Sequence, residues 1–298
     1  MSGSTLSGKV VTLRAPAKVN LGLWVGPRRR DGFHEIVTTM VPVELSDTVI
    51  VAPAQAGITL SVDSKLVPAG QENIACRAAA LFLNTARISA GCRIVIRKRI
   101  PVGAGLGGGS SDAAAVLKGL NRLFCSPLTD RTLHRLALKL GSDVPFFLKG
   151  TACACRGRGE KLRPLRLPRL HFVLHLPGYP VSTAWAYAEL DRFRQKQPGL
   201  TSPPVSPKIL GLRLRQQEPA GISAQVHNSF EPVVFRHHPD LKRARQVLIE
   251  SGVLAAGLSG SGSTVYGLVH RNRWQDPMAA MTRHGFFSVY TRSVLPAV

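Results

Sequence analysis

"PVGAGLGGGSSDAAAVLKGL", residues 101–120, decides how this chain is read. Five of the seven residues from Gly103 to Gly109 are glycine, and the run then turns into alanine and leucine. Ordering glycine loses more backbone entropy than ordering any other residue. A loop this bare, fused to a strong helix former, therefore reads as a loop whose backbone meets a ligand. Two familiar phosphate patterns fail on context. Gly103, Gly105 and Gly108 satisfy G-x-G-x-x-G, but "RKRIP" (97–101) stands where an apolar strand should enter, with a proline unsuited to a central strand. The acid that should close a second strand about 20 residues on is also missing, since Asp130 begins a helix after Pro127. The ATPase P-loop needs Lys directly after its last glycine, and here Gly109 and Ser110 follow Gly108. The physics still points to phosphate. Gly107, Gly108 and Gly109 can offer successive N–H groups with no Cβ in the way, an anion nest. Ser110 and Ser111 are expected as N-caps of the next helix, whose positive end attracts phosphate, and the Ser110 hydroxyl can reach a magnesium ion. The competing reading is a tight turn or linker.

Outward from the loop, period-two and apolar runs predict strands at 9–25, 47–54, 58–62, 92–100 and 151–156. Helical spacing marks 73–86 and 112–124, and a cap, an apolar stripe and a terminal glycine mark 126–141. The Pro- and Ser-rich stretch 196–211 reads as an exposed connection. Beyond it, a helix is expected over 240–252, a strand over 263–269 and a last helix around 276–285. Early strands with interspersed helices imply an α+β class with mixed sheets. The domain boundary is placed near residue 165, giving parts 1–165 and 166–298.

The chain has 298 residues, 44% hydrophobic, enough for one large or two smaller domains. It contains no apolar run long enough to span a membrane, and "MSGSTLSGKVVTLRAPAK" lacks the apolar core of a secretory signal. The expected setting is the cytoplasm. Five cysteines, Cys76, Cys92, Cys125, Cys153 and Cys155, form no paired framework and read as reduced thiols rather than a zinc site. Cys153 and Cys155 should share one strand face. Thirty-nine Lys and Arg against seventeen Asp and Glu give a net charge of +22. Such a field attracts anions, either phosphorylated small molecules or nucleic acid. The basic residues are dispersed and aromatics make up only 6%, so small anions are favoured over nucleic acid as the primary partner.

Four further stretches accompany the glycine loop: "APAKVNLGLWV" (15–25), "DGFHEI" (31–36), "GSDVPFFLKG" (141–150) and "GLSGSGSTVYG" (257–267). Together, from Arg14 to Tyr266, they resemble the GHMP kinase superfamily, and "AKVNLGL" with "DGFHEI" resembles the branch that acts on a diphosphocytidyl substrate. The resemblance implies a two-domain fold, with an N-terminal ATP-binding part like ribosomal S5 domain 2 and a C-terminal ferredoxin-like α/β sandwich. The active site would lie in the cleft between them. It implies transfer of the ATP γ-phosphate, with Mg2+, to the 2-hydroxyl of 4-diphosphocytidyl-2-C-methyl-D-erythritol in the non-mevalonate isoprenoid pathway. Neither membrane nor specific nucleic acid is implied, and the chain would be a monomer or weak homodimer. The alternatives are another small-molecule GHMP kinase, or a basic S5-like RNA-binding protein.

By the same resemblance Asp143 is the catalytic base and Lys18 its partner, holding the carboxylate ionised and stabilising a developing alkoxide. Asp143 alone would read as an N-cap, and Lys18 as a snorkelling edge residue. Asn20, two residues on along the same strand face, would bond the reacting end of the substrate. Phe33 and Tyr187 would sandwich the cytosine and His34 would bond its polar edge. Phe33 stands where the family more often has Tyr. ATP would lie against Pro101, Val102, Gly103, Ala104, Gly105, Leu106, Gly107, Gly108, Gly109, Ser110 and Ser111. Ala104 replaces a glycine of many relatives and fits only with negative φ. Asn73 and Lys98 would touch adenine, and the 257–264 turn would lie near the phosphates.

Overall fold

The structure, a computed structural model, describes residues 9–196, 206–216 and 218–295. Twenty elements follow one another: β1 (Val11–Arg28), β2 (His34–Ala54), β3 (Ile58–Val62), α1 (Ile74–Ala86), β4 (Gly91–Arg97), α2 (Gly108–Leu123), α3 (Asp130–Leu140), α4 (Val144–Lys149), β5 (Cys153–Arg156), β6 (Lys161–Pro164), β7 (His171–His175), α5 (Thr183–Lys196), α6 (Pro207–Gln216), α7 (Pro219–Ser223), α8 (Glu231–His237), α9 (Pro239–Glu250), β8 (Ala255–Leu258), β9 (Val265–Val269), α10 (Gln275–Arg283) and β10 (Ser288–Arg292). They form two compact units that interleave along the chain, one of residues 9–17, 45–102 and 108–149, the other of 18–44, 103–107 and 150–295. A single boundary near 165 does not divide the chain this way, because the long strands β1 and β2 each run from one unit into the other.

In the first unit β2 pairs antiparallel with β4 from Thr48↔Arg97 to Ala54↔Gly91, and β3 lies parallel to β4. Helices α1 and α2 are alanine-rich where they are buried, which lets backbones approach closely. Gly119 of α2 marks the tightest approach to the strands, since a Cβ there would lie 2.9 Å from both Leu13 Cδ1 and Val51 Cγ2. Helix α3 shows its signals in order. Thr129 caps it by accepting from Thr132 N, Leu133, Leu136, Ala137 and Leu140 form its buried stripe, and Gly141 ends it.

In the second unit the first half of β2 pairs with β5 at Thr38↔Cys155, and β6 follows β5 as the edge. Cys153 and Cys155 share one buried face, and among the described residues none of the five cysteines is in a disulfide. A separate antiparallel sheet has the order β10-β7-β9-β8. That order, with α5 to α9 entering between β7 and β8 and α10 between β9 and β10, is the ferredoxin-like arrangement. Helix α9 buries Leu241, Ala244, Val247 and Leu248. Each such leucine contributes about 2 kcal/mol by leaving water.

Two sequence expectations need correcting. Of the stretch 196–211, residues 197–205 lie outside the described residues, but Pro207–Gly211 begin helix α6 rather than continuing a connection. Pro207 suits a first helical turn, where its missing N–H has no role. Strand β2 also starts at His34, well before the apolar run at 47–54, because both faces of its early half are buried and no alternation betrays it.

Candidate active site

The glycine loop starts from a fixed point. Asp47 of β2 is fully buried, and its Oδ1 accepts from Arg99 N at 2.5 Å and Ile100 N at 2.8 Å, just before Pro101. Its Oδ2 lies 2.5 Å from Lys98 Nζ, which also reaches Asp112 Oδ2 at 2.7 Å in the first part of α2. One ammonium thus ties the strand that enters the loop to the helix that leaves it. Burial opposes the Lys98 charge, but Asp112 and Asp47 outweigh it and hold its pKa above the ordinary lysine value. Burial pushes the Asp112 carboxyl up to about 7 against the pull of Lys98, with the Asp47 charge adding to the rise.

Gly103, Gly105 and Gly107 have φ of +66°, +76° and +72°, while Ala104 keeps a negative φ and is buried, as its side chain requires. Residues 103–107 rest against the second glycine turn. Ser259 Oγ donates to Gly105 O at 3.1 Å and Thr264 N donates to Ala104 O at 3.1 Å. A Cβ on Gly105 would lie 2.1 Å from Ser259 O. The turn of 257–264 therefore packs directly on the loop.

Helix α2 begins at Gly108, so Ser110 and Ser111 stand inside its first turn and not at the N-cap, where the sequence placed them. The glycines continue helically, which leaves the first-turn N–H groups without helical acceptors. Among the described residues none of the N–H groups of Gly107 to Ser111 donates to another part of the chain. The Ser110 hydroxyl is half-buried with no hydrogen-bond partner there, and Ser111 Oγ is buried without one.

On β1, Lys18 and Asn20 share a buried face, and Lys18 Nζ donates to Asn20 Oδ1. Asn20 Nδ2 passes the chain on to Thr38 Oγ1 at 3.0 Å, which donates to Gly22 O at 2.8 Å. Lys18 N also donates to Leu106 O at 3.0 Å, and a Cβ on Gly260 would lie 3.2 Å from Lys18 Nζ. Lys18 is thus held against the first glycine turn by its backbone and beside the second by its ammonium. Asp143 precedes α4 and is half-buried, and no N–H of that helix donates to its carboxylate, so it is not the cap that its position suggests.

His34 is buried, and its Nδ1 donates to Gly26 O at 2.9 Å, which fixes the Nδ1–H form. Its Nε2 lies 3.5 Å from Asp191 Oδ2. The ring stands 5.0 Å from that of Tyr187, which meets Phe230 edge-on at 4.9 Å. Phe33 is 50% exposed, with the Arg158 guanidinium 4.5 Å over its ring. The structure pairs Tyr187 with His34 and gives Phe33 an outward face.

Asn73 and Lys98 are both bonded within the chain. Asn73 caps α1 through Oδ1 to Ala75 N at 2.8 Å, and its Nδ2 holds Pro68 O at 2.6 Å. The Lys98 ammonium is held by two carboxylates. Both side chains thus also hold the fold in place. Sequence reasoning missed Asp47, Asp112, Thr38, Asp191 and Ser259. Of these only Asp112 left a signal, as a lone acid heading an alanine helix.

Among the described residues no helix is long and apolar enough to cross a membrane. The GHMP kinases N terminal domain matches residues 73–151, and the GHMP kinases C terminal domain matches 211–284. The 4-diphosphocytidyl-2-C-methyl-D-erythritol kinase of Chlorobium limicola is 40% identical over 282 residues, covering 93% of this chain and 94% of that protein. The same-named protein of Thermus thermophilus is 42% identical, over 90% of this chain and 93% of its own length. A crystal structure of 4-(cytidine 5'-diphospho)-2C-methyl-D-erythritol kinase superposes with TM-score 0.80 at 38% identity, covering 95% of this chain and 99% of that one. Homoserine kinase from Cytophaga hutchinsonii, at 18% identity and TM-score 0.74 over 99% of this chain and 97% of its own, shares the fold. With both domains matched and relatives this similar over nearly its whole length, the chain belongs to the GHMP kinases, in the group of the 4-diphosphocytidyl-2-C-methyl-D-erythritol kinases.

Proposed function

We infer that this chain transfers the γ-phosphate of ATP to the 2-hydroxyl of 4-diphosphocytidyl-2-C-methyl-D-erythritol, a step of isoprenoid synthesis. The observation that carries this reading is the kinship at about 40% identity across nearly the full chain with kinases of that name. The geometry supports it. A loop bent by three glycines of positive φ leads into a helix whose first-turn N–H groups have no partner among the described residues. Backbone donors and a helix N-terminus of this kind suit the phosphates of ATP.

Phosphoryl transfer asks the protein mainly to align groups and neutralise charge. In this reading Asp143 accepts the proton of the attacking hydroxyl. Lys18, held in place through Asn20 and Thr38, offsets the charge that develops as that proton leaves. Mg2+ would be held by the ATP phosphates and the Ser110 hydroxyl. That hydroxyl fits the role, since it has no partner among the described residues, and Mg2+ beside phosphates needs few protein oxygens. When bound, the ion would neutralise phosphate charge.

Cytosine recognition is assigned to Phe33, His34 and Tyr187. With Nδ1–H given to Gly26 O, His34 has Nε2 left to face the polar edge of the base. Adenine contact is assigned to Asn73 and Lys98, and a Cβ on Gly108 would lie 3.3 Å from Lys98 Nζ.

A coupled assay with purified protein tests the assignment by offering ATP with the diphosphocytidyl substrate, mevalonate, homoserine or galactose. Turnover of the first alone is expected. Turnover of another at equal kcat/KM would reduce the reading to an unspecified GHMP kinase. In the same assay Asp143→Asn should lower kcat by roughly 10²-fold, the scale of a lost general base, with ATP binding retained. A wild-type kcat would remove Asp143 from the chemistry.

A further inference from the structure

Small phosphorylated ligands need a local field, and the net charge of +22 exceeds that need. One concentration of this charge lies on the β5–β6 hairpin and its exit. Arg156, Arg158, Lys161, Arg163, Arg166 and Arg169 are all exposed. None forms an ion pair or donates a side-chain hydrogen bond among the described residues. The acid within the stretch, Glu160, is turned to its own backbone, accepting from Arg158 N at 2.6 Å.

The register sharpens the point. Arg156 stands directly opposite Lys161, and Arg163 opposite Ala154, so Arg156, Lys161 and Arg163 share the outer face. The inner face carries buried Cys153 and Cys155. Like charges directly opposite one another destabilise a strand pair. A fold has no use for that arrangement, whereas a polyanion does. Protection of the β6 edge against aggregation accounts for Lys161, Arg163 and Pro164. It does not account for Arg156 on the inner strand, or for Arg166 and Arg169 beyond the hairpin.

We propose that the outer face of the β5–β6 hairpin and its exit bind the phosphodiester backbone of nucleic acid without regard to base sequence. Five of the six cations are arginine, whose planar fork fits phosphate oxygens pairwise. No exposed large hydrophobic residue lies between 151 and 169, and the one against the patch, Phe33, carries the Arg158 guanidinium 4.5 Å over its ring. A membrane surface or a protein partner would call for such an anchor beside the charge. Phosphate contacts need none, because counterion release supplies the affinity.

The test uses the full chain, a labelled single-stranded RNA oligonucleotide of mixed sequence and anisotropy over a salt series. The wild type should bind at low salt and release steeply as salt rises. Arg156→Gln/Lys161→Gln/Arg163→Gln should lower the slope of log affinity on log salt by about 2, at roughly 0.7 per lost contact. The same variant should keep its kinase kcat and melt no lower than the wild type, since it removes a like-charge pair. Should it aggregate through its edge, Arg166→Gln/Arg169→Gln is the second arm, with a slope lower by about 1.4 on the same scale. The proposal is overturned if the wild type binds no RNA or if both variants bind as it does. Binding to phosphatidylserine vesicles without RNA binding also overturns it. So does a loss of kcat/KM with unaltered RNA binding, which would make the patch a steering field for small substrates.

Discussion

Two glycine-rich turns of this chain look alike in sequence and face different things. In the turn at 257–264 every serine hydroxyl is engaged by the chain. Ser259 donates to Gly105 O, Ser261 pairs with Thr183 at 3.0 Å, and Ser263 donates to Tyr179 O at 2.5 Å. In the run at 107–111 the Ser110 and Ser111 hydroxyls have no partner among the described residues, and neither do the N–H groups beside them. Glycine serves the first turn by letting backbone pack on backbone. It serves the second by leaving backbone donors uncovered. What distinguishes a packing glycine from a binding glycine is therefore where its neighbours' hydrogen bonds go.

The largest expected effect breaks the packing side. Gly105 has a φ of +76°, and a Cβ would meet Ser259 O at 2.1 Å and Gly262 O at 2.9 Å. Gly105→Ala should destabilise the protein by roughly 4 kcal/mol, adding backbone strain to a collision with carbonyls that cannot swing aside. Denaturant unfolding measures this. A variant within about 1 kcal/mol of wild type would show that the two turns are not locked together.

Next comes the charge cluster behind the binding side. In the folded chain the Asp112 carboxyl holds its proton to about pH 7 because it is buried, whereas an unfolded chain releases it near pH 4. Between those values the unfolded state carries fewer protons, so wild-type stability falls as pH rises. Asp112→Asn cannot titrate. Relative to wild type it should gain on the order of 2 kcal/mol from pH 4 to pH 7, less than the full shift because Lys98 and Asp47 relax with it. Parallel stability curves for the two proteins would show that the cluster does not titrate in this range.

How far the sequence reaches follows from the same contrast. Strand and helix spacing declared β4, α1 and α3 because each has one buried and one more exposed face. The early half of β2 is buried on both faces and gives no alternation. Lys18 and Asn20 were legible as a pair by their spacing along β1, and the structure adds Thr38 from β2, which no local pattern could supply. Lys98 shows the converse. The sequence displays a lysine just before a glycine loop, and the two carboxylates that hold it, 51 and 14 residues away, are brought to it only by the fold. His34 and Tyr187, 5.0 Å apart in space, are joined only by the fold.

A smaller effect tests the binding side directly. Gly109 lies within α2, and the nearest atom to a Cβ there is Ile74 Cγ2 at 3.7 Å, an ordinary contact. Gly109→Ala should leave stability unchanged or raise it by up to about 1 kcal/mol, since alanine is the better helix former. The same methyl would stand among the donors assigned to phosphate. The ATP KM should rise about tenfold, roughly 1.4 kcal/mol of binding, with the KM of the diphosphocytidyl substrate unmoved. An unchanged ATP KM would mean that the uncovered donors do not face the nucleotide.

The smallest effect decides whether the packing turn is only that. Ser259 Oγ donates to Gly105 O at 3.1 Å and accepts from Asn20 N at 3.4 Å, so one hydroxyl joins the loop to the strand carrying Lys18. Ser259→Ala removes both bonds and opens no large cavity. The long second bond is worth little, and the first about 1 kcal/mol net, which lowers the melting temperature by about 2 °C in a chain of this size. Because the hydroxyl is spent on the chain, the ATP KM should stay within about twofold, less than 0.5 kcal/mol. The two turns would then keep separate roles, one closing on the chain and the other open to ligand. If Ser259→Ala instead melts like wild type while its ATP KM rises tenfold or more, the serine leaves Gly105 when nucleotide binds. Both turns would then have to be counted as ligand-facing.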